Sequence, residues 1–144
     1  MDRKEERIEK ARLLYSWKMQ LAHNLCSRDE LEWKRALRMA HAACFLLHYL
    51  GKGVVEFYYQ KDDGETRHAF GTLKPECDAF YMDYCIRQEL QGKTATKATH
   101  VGNWNTDGHY TYWDIHKRRF RTFKAKNILE IVEAKIKLNK RYGK

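Results

Sequence analysis

The stretch that decides the fold is His109-Tyr110-Thr111-Tyr112-Trp113-Asp114-Ile115-His116-Lys117-Arg118-Arg119-Phe120-Arg121-Thr122-Phe123-Lys124. Two runs of aromatic and β-branched residues flank a short basic break, the pattern of an antiparallel hairpin. Strand alternation puts Thr111, Trp113 and Ile115 on one face and Tyr110, Tyr112 and Asp114 on the other. On the return strand Arg119, Arg121, Phe123 and Ala125 point one way, and Phe120, Thr122 and Lys124 the other. Phe123 and Ala125 are core residues by type, so Arg121 shares their face near one end of the sheet. A charge on an inward face is costly without a partner. An inward arginine at the mouth of a small barrel is therefore a natural anion site.

Outward from this hairpin, the composition bounds the chain. Its 144 residues suit one domain, or a small domain with a helical extension, and 43% hydrophobic with 13% aromatic content is enough for a core. Twenty-eight Lys and Arg against 19 Asp and Glu leave a net charge of +9. That balance favours anionic partners such as nucleic acid, nucleotides, phosphorylated ligands or acidic proteins, without choosing among them. No apolar run approaches the roughly 20 residues of a membrane helix, and the charged N-terminus lacks a signal-peptide core. A cytoplasmic protein with no membrane association is expected. Cys26, Cys44, Cys77 and Cys85 form no CxxC pair and read as reduced core residues.

The chain before the hairpin reads as helices and a first hairpin. Residues 2–26 carry two apolar stripes, Ile8–Ala11–Tyr15–Met19–Ala22–Cys26 and Leu14–Trp17–Leu21–Leu25. Ser27 with Glu30 three positions on matches a capping box and predicts a second helix from there, ended by Gly51-Lys52-Gly53 through a left-handed cap. Residues 54–60 and 65–73 form strands around the turn Lys61-Asp62-Asp63-Gly64. Gly71 inside the second strand suggests a bulge or a barrel corner. Pro75 opens a helix that Gly92 stops. The threonine-rich residues 93–101 predict a short strand, and residues 102–108 a loop holding Trp104. Asn127 is expected to cap a last helix from Ile128 to about Lys140, with Glu130 and Glu133 early and Lys135 and Lys137 late.

Tyr112-Trp113-Asp114-Ile115, the basic turn, Phe120-Arg121-Thr122-Phe123-Lys124 and Ile128 together resemble the end of a WYL-type domain. Lys61-Asp62-Asp63-Gly64 with Arg67, Ala69 and Gly71-Thr72-Leu73 resembles the first hairpin of the small WYL-like branch with a Sm/SH3-type barrel, known from uncharacterised bacterial and phage proteins. The resemblance covers about residues 52–73 and 108–131. It implies a five-stranded, strongly bent barrel and a role in binding, as a regulatory sensor of ligand or nucleic acid. It carries the family's binding arginine onto Arg121, with Lys124 as its neighbour. The N-terminal helical pair and the long segment 75–107 depart from the pattern, and no helix-turn-helix signature accompanies it.

The expected architecture is α+β. A helical hairpin (1–51) packs on a small SH3-like, Sm-like antiparallel β-barrel (52–144) that carries a helical insertion (about 75–92) and a C-terminal helix. The expected ligand site is Arg121, Lys124 and Arg119 beside Trp113 and Tyr112, with Arg67 reaching it from the first hairpin or pairing with Glu56 or Glu65. Arginine binds phosphate bidentately and flat aromatics stack bases. Against this, basic residues on a strand edge also serve only to discourage pairing. His41, Cys44 and His48 share a helical face, but with apolar neighbours and no fourth ligand they are expected to be packing residues, so no metal or cofactor is expected. No nucleophile with a matched base is visible, the seven histidines being scattered, and no GxSxG, HExxH or phosphate-loop pattern occurs. The function expected is non-enzymatic binding of nucleic acid, a nucleotide or another small anion. The alternative is a protein–protein module, such as a phage- or mobile-element-encoded modulator of a host complex. Either a monomer or a homodimer fits.

Overall fold

The computed structural model describes residues 2–93 and 104–138. Helices α1 (Arg3–Asp29) and α2 (Trp33–Leu50) lead into strands β1 (Val55–Gln60) and β2 (Thr66–Thr72). A 3₁₀ turn (Pro75–Cys77) and helix α3 (Ala79–Leu90) follow, then β3 (His109–Asp114) and β4 (Arg119–Lys124). A second 3₁₀ turn (Ala125–Asn127) delivers β5 (Ile128–Ile131) and β6 (Ile136–Lys137). The strands form one antiparallel sheet in the order β4-β3-β2-β1-β5-β6.

Both hairpins follow the alternation of the sequence. Val55, Phe57 and Tyr59 are buried on β1, and Tyr110, Tyr112 and Phe123 on β3 and β4. Tyr112 lies opposite Arg121 and Trp113 opposite Phe120. One face of the sheet meets α1 and α2 through Trp17, Leu21, Leu25, Met39, Leu46 and Leu50. The opposite face of β3–β4 has its own small core, where Trp113 and Phe120 pack under Tyr81, Tyr84 and Cys85 of α3. That second core explains why the second hairpin is aromatic on both sides.

Several expectations are corrected. The closed five-stranded barrel is an open six-stranded sheet, because β4 and β6 are the two ends of its strand order and β4 shares a ladder with neither β5 nor β6. The sheet is nevertheless curled. Lying flat, four strand spacings would separate β4 from β5 by about 19 Å, whereas the residues from Lys124 to Ile128 reach at most about 14 Å. Among the described residues no C-terminal helix forms: Ile128–Ile131 are all buried in an extended strand, with Phe57 opposite Ile131 and Tyr59 opposite Ile128. The open edge of β1 outweighs a local charge pattern that also suits a helix. The capping box at Ser27 is not formed. Instead α1 runs on to Asp29, because Arg28 donates to the Asp107 carbonyl at 2.7 Å and Asp29 pairs with Lys126 at 3.2 Å. Glu30 then reverses the chain at φ 58, with its N–H on the Leu25 carbonyl. Finally, α2 ends without a left-handed glycine, Gly51 having φ −72.

Gly71 is neither bulge nor corner, since β1 and β2 stay in register through Val55 opposite Gly71. An added Cβ there would meet the ring of Tyr112, with Phe57 Cε1 close behind. Close approach explains the glycine. Of the two stripes on α1, the one through Trp17, Leu21 and Leu25 is buried, while Ile8 and Tyr15 are 59% and 65% exposed. The insertion helix starts later than expected, after the 3₁₀ turn, with Asp78 as its N-cap. The short strand expected at 93–101 lies outside the described residues but for Lys93, and the loop 102–108 is described from Trp104 onward. Trp104 and Asn105 anchor that loop to α1, their carbonyls accepting from Trp17 Nε1 at 2.9 and 3.0 Å. Among the described residues no helix is long and apolar enough to cross a membrane.

Candidate functional site

Strands β2 and β3 share only two register pairs, Gly71 with Asp114 and Thr72 with Trp113, and one further bond from Ile115 N–H to the Phe70 carbonyl. Beyond Phe70 the two hairpins splay apart. A groove of about 340 Å³ lies in the gap. The first hairpin lines it with Lys61, Thr66, Arg67, His68 and Phe70, the second with Asp114, His116, Lys117 and Arg121.

Asp114 makes the splay. Its Oδ1 accepts the backbone N–H of His116 at 2.9 Å and of Lys117 at 3.0 Å, bending the chain into a turn that Arg118 completes at φ 56. Its Oδ2 lies 3.6 Å from Arg121 Nε, the two side chains being 6% and 12% exposed. Arg121 Nε is buried and has no hydrogen-bond partner among the described residues. Arg121 therefore lines the groove with its charge balanced on one side by a carboxylate already engaged with the backbone.

Arg67 enters from the other wall. It donates to the Tyr59 hydroxyl at 3.0 Å, and that hydroxyl lies 2.8 Å from the buried hydroxyl of Tyr112. Glu56 is engaged elsewhere, with His68 at 2.6 Å. So Arg67 pairs with neither carboxylate expected of it: Lys61 takes Glu65, at 3.3 Å. Burial alone would lower the pKa of Arg67, but the bond to Tyr59 and the nearby Tyr112 and Asp114 raise it, so its charge is secure. Burial pushes the phenol of Tyr112 up, as does its bond to Tyr59.

The structure thus gathers Arg121 and Arg67 and separates the other expected site residues. Tyr112 is fully buried beneath them and supports the groove without lining it. Trp113 is on the opposite face, 5% exposed under α3, stacked on Tyr81 at 5.0 Å with its Nε1 donating to Asp78. It offers the groove no ring. Arg119 is exposed beyond Asp114 and is not among the lining residues. Lys124 pairs with Asp62 at 2.9 Å and lines a smaller neighbouring groove of about 200 Å³, whose wall it shares with Lys61 and Arg67.

The groove also brings together residues that no local pattern joins. His68 and Phe70 lie on β2, and His116 in the following turn belongs to the second hairpin. The Phe70 ring is 4.8 Å from each imidazole. Alternation could have put His68 and Phe70 on one outer face; only the splay brings His116 to them. A larger cleft of about 420 Å³, between α2 and the β5–β6 turn, has a mostly apolar floor including Ala42, Phe45, Tyr49 and Ile136. His41 and Cys44 do not form a metal centre with His48: among the described residues no group of three or more His, Cys, Asp or Glu side chains is placed to hold an ion.

Residues 45–129 match the family model WYL_2, described as a Sm-like SH3 beta-barrel fold. No curated protein and no solved structure matches the chain.

Proposed function

Because the chain belongs to the WYL_2 family of Sm-like SH3 β-barrel fold, we propose that it is a regulatory binding protein whose inter-hairpin groove takes nucleic acid or a nucleotide. WYL domains are generally regulatory and bind ligands or nucleic acid. The observation that carries the reading is the convergence of Arg67 and Arg121, from different hairpins, with Lys61 and Lys117 around the single carboxylate of Asp114. Such a groove matches a phosphate in charge, and two guanidiniums give it directional donors. The exposed rings of His68 and His116 beside Phe70 supply flat surfaces on which a base can stack.

The test is a fluorescence-anisotropy titration of a labelled single-stranded oligonucleotide and, separately, of a labelled nucleotide. The double variant Arg67→Met with Arg121→Met should lose binding of at least one probe while keeping a native far-UV circular dichroism spectrum. Equal binding by that folded variant overturns the reading.

The protein-module alternative draws on one feature, the exposed Ile8 and Tyr15 on the free half of α1. The aromatics of the 75–107 segment support it less, since Tyr81 and Tyr84 pack on Trp113 and Phe120, and Trp104 on Trp17. Size-exclusion mass of Ile8→Glu with Tyr15→Glu against the parent tests it, a loss of dimer or partner complex being the supporting result.

A further inference from the structure

Motif reading finds no enzyme here because no protein nucleophile sits beside a base. One substrate class carries its own nucleophile. In RNA the 2′-hydroxyl lies next to the phosphodiester, so a protein needs only a base, an acid and positive charge around the phosphorus. The groove holds all three kinds of group.

His68 is built as a base. Its Nε2 lies 2.6 Å from Glu56 Oε2. An ionised carboxylate only accepts hydrogen bonds, so in the neutral ring Nε2 carries the proton and Nδ1 is the atom left to accept one. The ring lies flat on Tyr58, with centroids 4.3 Å apart and planes 7° from parallel, which fixes its orientation. His116 also packs against Phe70. Both imidazoles are 4.8 Å from that ring, so at most twice that distance separates them. The backbone N–H of His116 is held by Asp114. Arg67, Arg121 and Lys117 line the same groove.

We infer that the groove cleaves single-stranded RNA by internal transesterification, an activity that rests on the nucleic-acid reading above and goes beyond binding. The scissile phosphate sits against Arg67 and Arg121. His68 Nδ1 takes the proton of the 2′-hydroxyl as its oxygen bonds to phosphorus. The bond from phosphorus to the 5′-oxygen breaks, and the imidazolium of His116 protonates that leaving oxygen. The products are a 2′,3′-cyclic phosphate and a free 5′-hydroxyl, with no water, metal or redox partner consumed. The guanidiniums neutralise the charge that builds on the non-bridging oxygens. Both histidines are exposed and return to their starting protonation states through solvent. Glu56 is a positioning residue, acting through the His68 ring.

The experiment incubates the whole protein with a 5′-labelled single-stranded oligoribonucleotide in EDTA and identifies product ends by mass spectrometry. Cyclic-phosphate ends are expected, with no cleavage at a phosphate whose neighbouring 2′-hydroxyl is replaced by hydrogen. His68→Ala and His116→Ala should each slow single-turnover cleavage at saturating protein about 100-fold or more, a loss in the chemical step beyond any weakening of strand binding. Glu56→Gln should keep part of the rate and move the pH–rate profile. If the oligoribonucleotide binds but stays intact, the cleavage inference falls and the binding function stands. If neither that strand nor its 2′-deoxy-substituted form binds, the cleavage inference falls together with the nucleic-acid part of the binding reading, and the nucleotide titration alone decides the rest. Cleavage that survives in both histidine variants also overturns the inference.

Discussion

Replacing Arg121 by methionine separates the ligand role of this side chain from its structural one. Methionine keeps most of the apolar stem opposite Tyr112 and removes the guanidinium. The loss to the fold is limited by Asp114, whose Oδ1 still accepts from His116 and Lys117. What disappears is one contact of 3.6 Å between side chains that retain some exposure. A cost of about 1–2 kcal/mol follows from losing one charged interaction whose acceptor keeps other partners. For a domain of this size that lowers Tm by roughly 3–8 °C. A ligand phosphate held by two charge-assisted bonds loses more, about 1.5–3 kcal/mol, which is roughly a 10- to 150-fold weaker Kd. The assay is anisotropy with a labelled single-stranded oligonucleotide across a series of salt concentrations. Losing one phosphate contact reduces the slope of log K against log salt by about 0.7 for a single strand. A variant with parental affinity and slope, whatever its Tm, refutes the placement of the phosphate at Arg121.

Four further outcomes test the geometry around the groove. Asp114→Asn retains an acceptor for the turn but removes the charge beside Arg121, so oligonucleotide affinity should rise; weaker binding by the folded variant would show that Asp114 does not oppose the ligand. Gly71→Ala drives a methyl group into the buried ring of Tyr112 and should cost about 1–3 kcal/mol by overpacking, read as a lower thermal or urea midpoint; an unchanged midpoint contradicts that close approach. Trp113→Phe gives up the bond to Asp78 and should lower stability by about 1 kcal/mol with no change in oligonucleotide affinity; a large affinity loss would bring Trp113 into the ligand site. Burial pushes the phenol of Tyr81 up to about 12 and raises those of Tyr110 and Tyr112 as well. The folded state therefore holds these protons longer than the unfolded chain, whose tyrosines titrate near pH 10. The stabilisation is full below about pH 10 and is lost as pH rises toward the folded values, so Tm should fall across that window; a flat Tm there refutes the burial of these hydroxyls.

The parts of this fold that were legible in the sequence are those where neighbours along the chain settle the outcome. Alternation from Val55 to Tyr59 and from Tyr110 to Phe123 gave both hairpins, and Asp63-Gly64 gave the first turn, Gly64 having φ 90. The final strand was not legible. Ile128, Ile131 and the Glu and Lys residues after them suit a helix as well, and only the open edge of β1, some seventy residues earlier in the chain, decides. Trp113 shows the same limit at the candidate site. Its parity was readable, but whether its face meets ligand or helix depends on α3, a separate element. Arg121 was readable as an inward charge beside core residues. The histidines were not: nothing local joins His68 to His116, and what joins them is the splay of two hairpins.

That splay traces to a single side chain. An antiparallel ladder through Gly71 and Asp114, continued one step, would set Phe70 opposite Ile115, and the bond from Ile115 N–H to the Phe70 carbonyl shows the step begun. A second step would lay His116 along β2 and close the gap. Asp114 prevents it by taking the N–H groups of His116 and Lys117 onto its own carboxylate, as aspartate does at turns. The backbone donors that could have zipped the two hairpins together are thereby committed to the turn. The same carboxylate leaves its other oxygen to Arg121, holding the guanidinium at the groove wall while offsetting its charge. Opening the gap between the hairpins and placing Arg121 at its wall are one act of one residue. Arg121 lines a groove only because the pairing of β2 with β3 stops at Phe70, so the candidate site depends on that gap and not on the unclosed ends of the sheet.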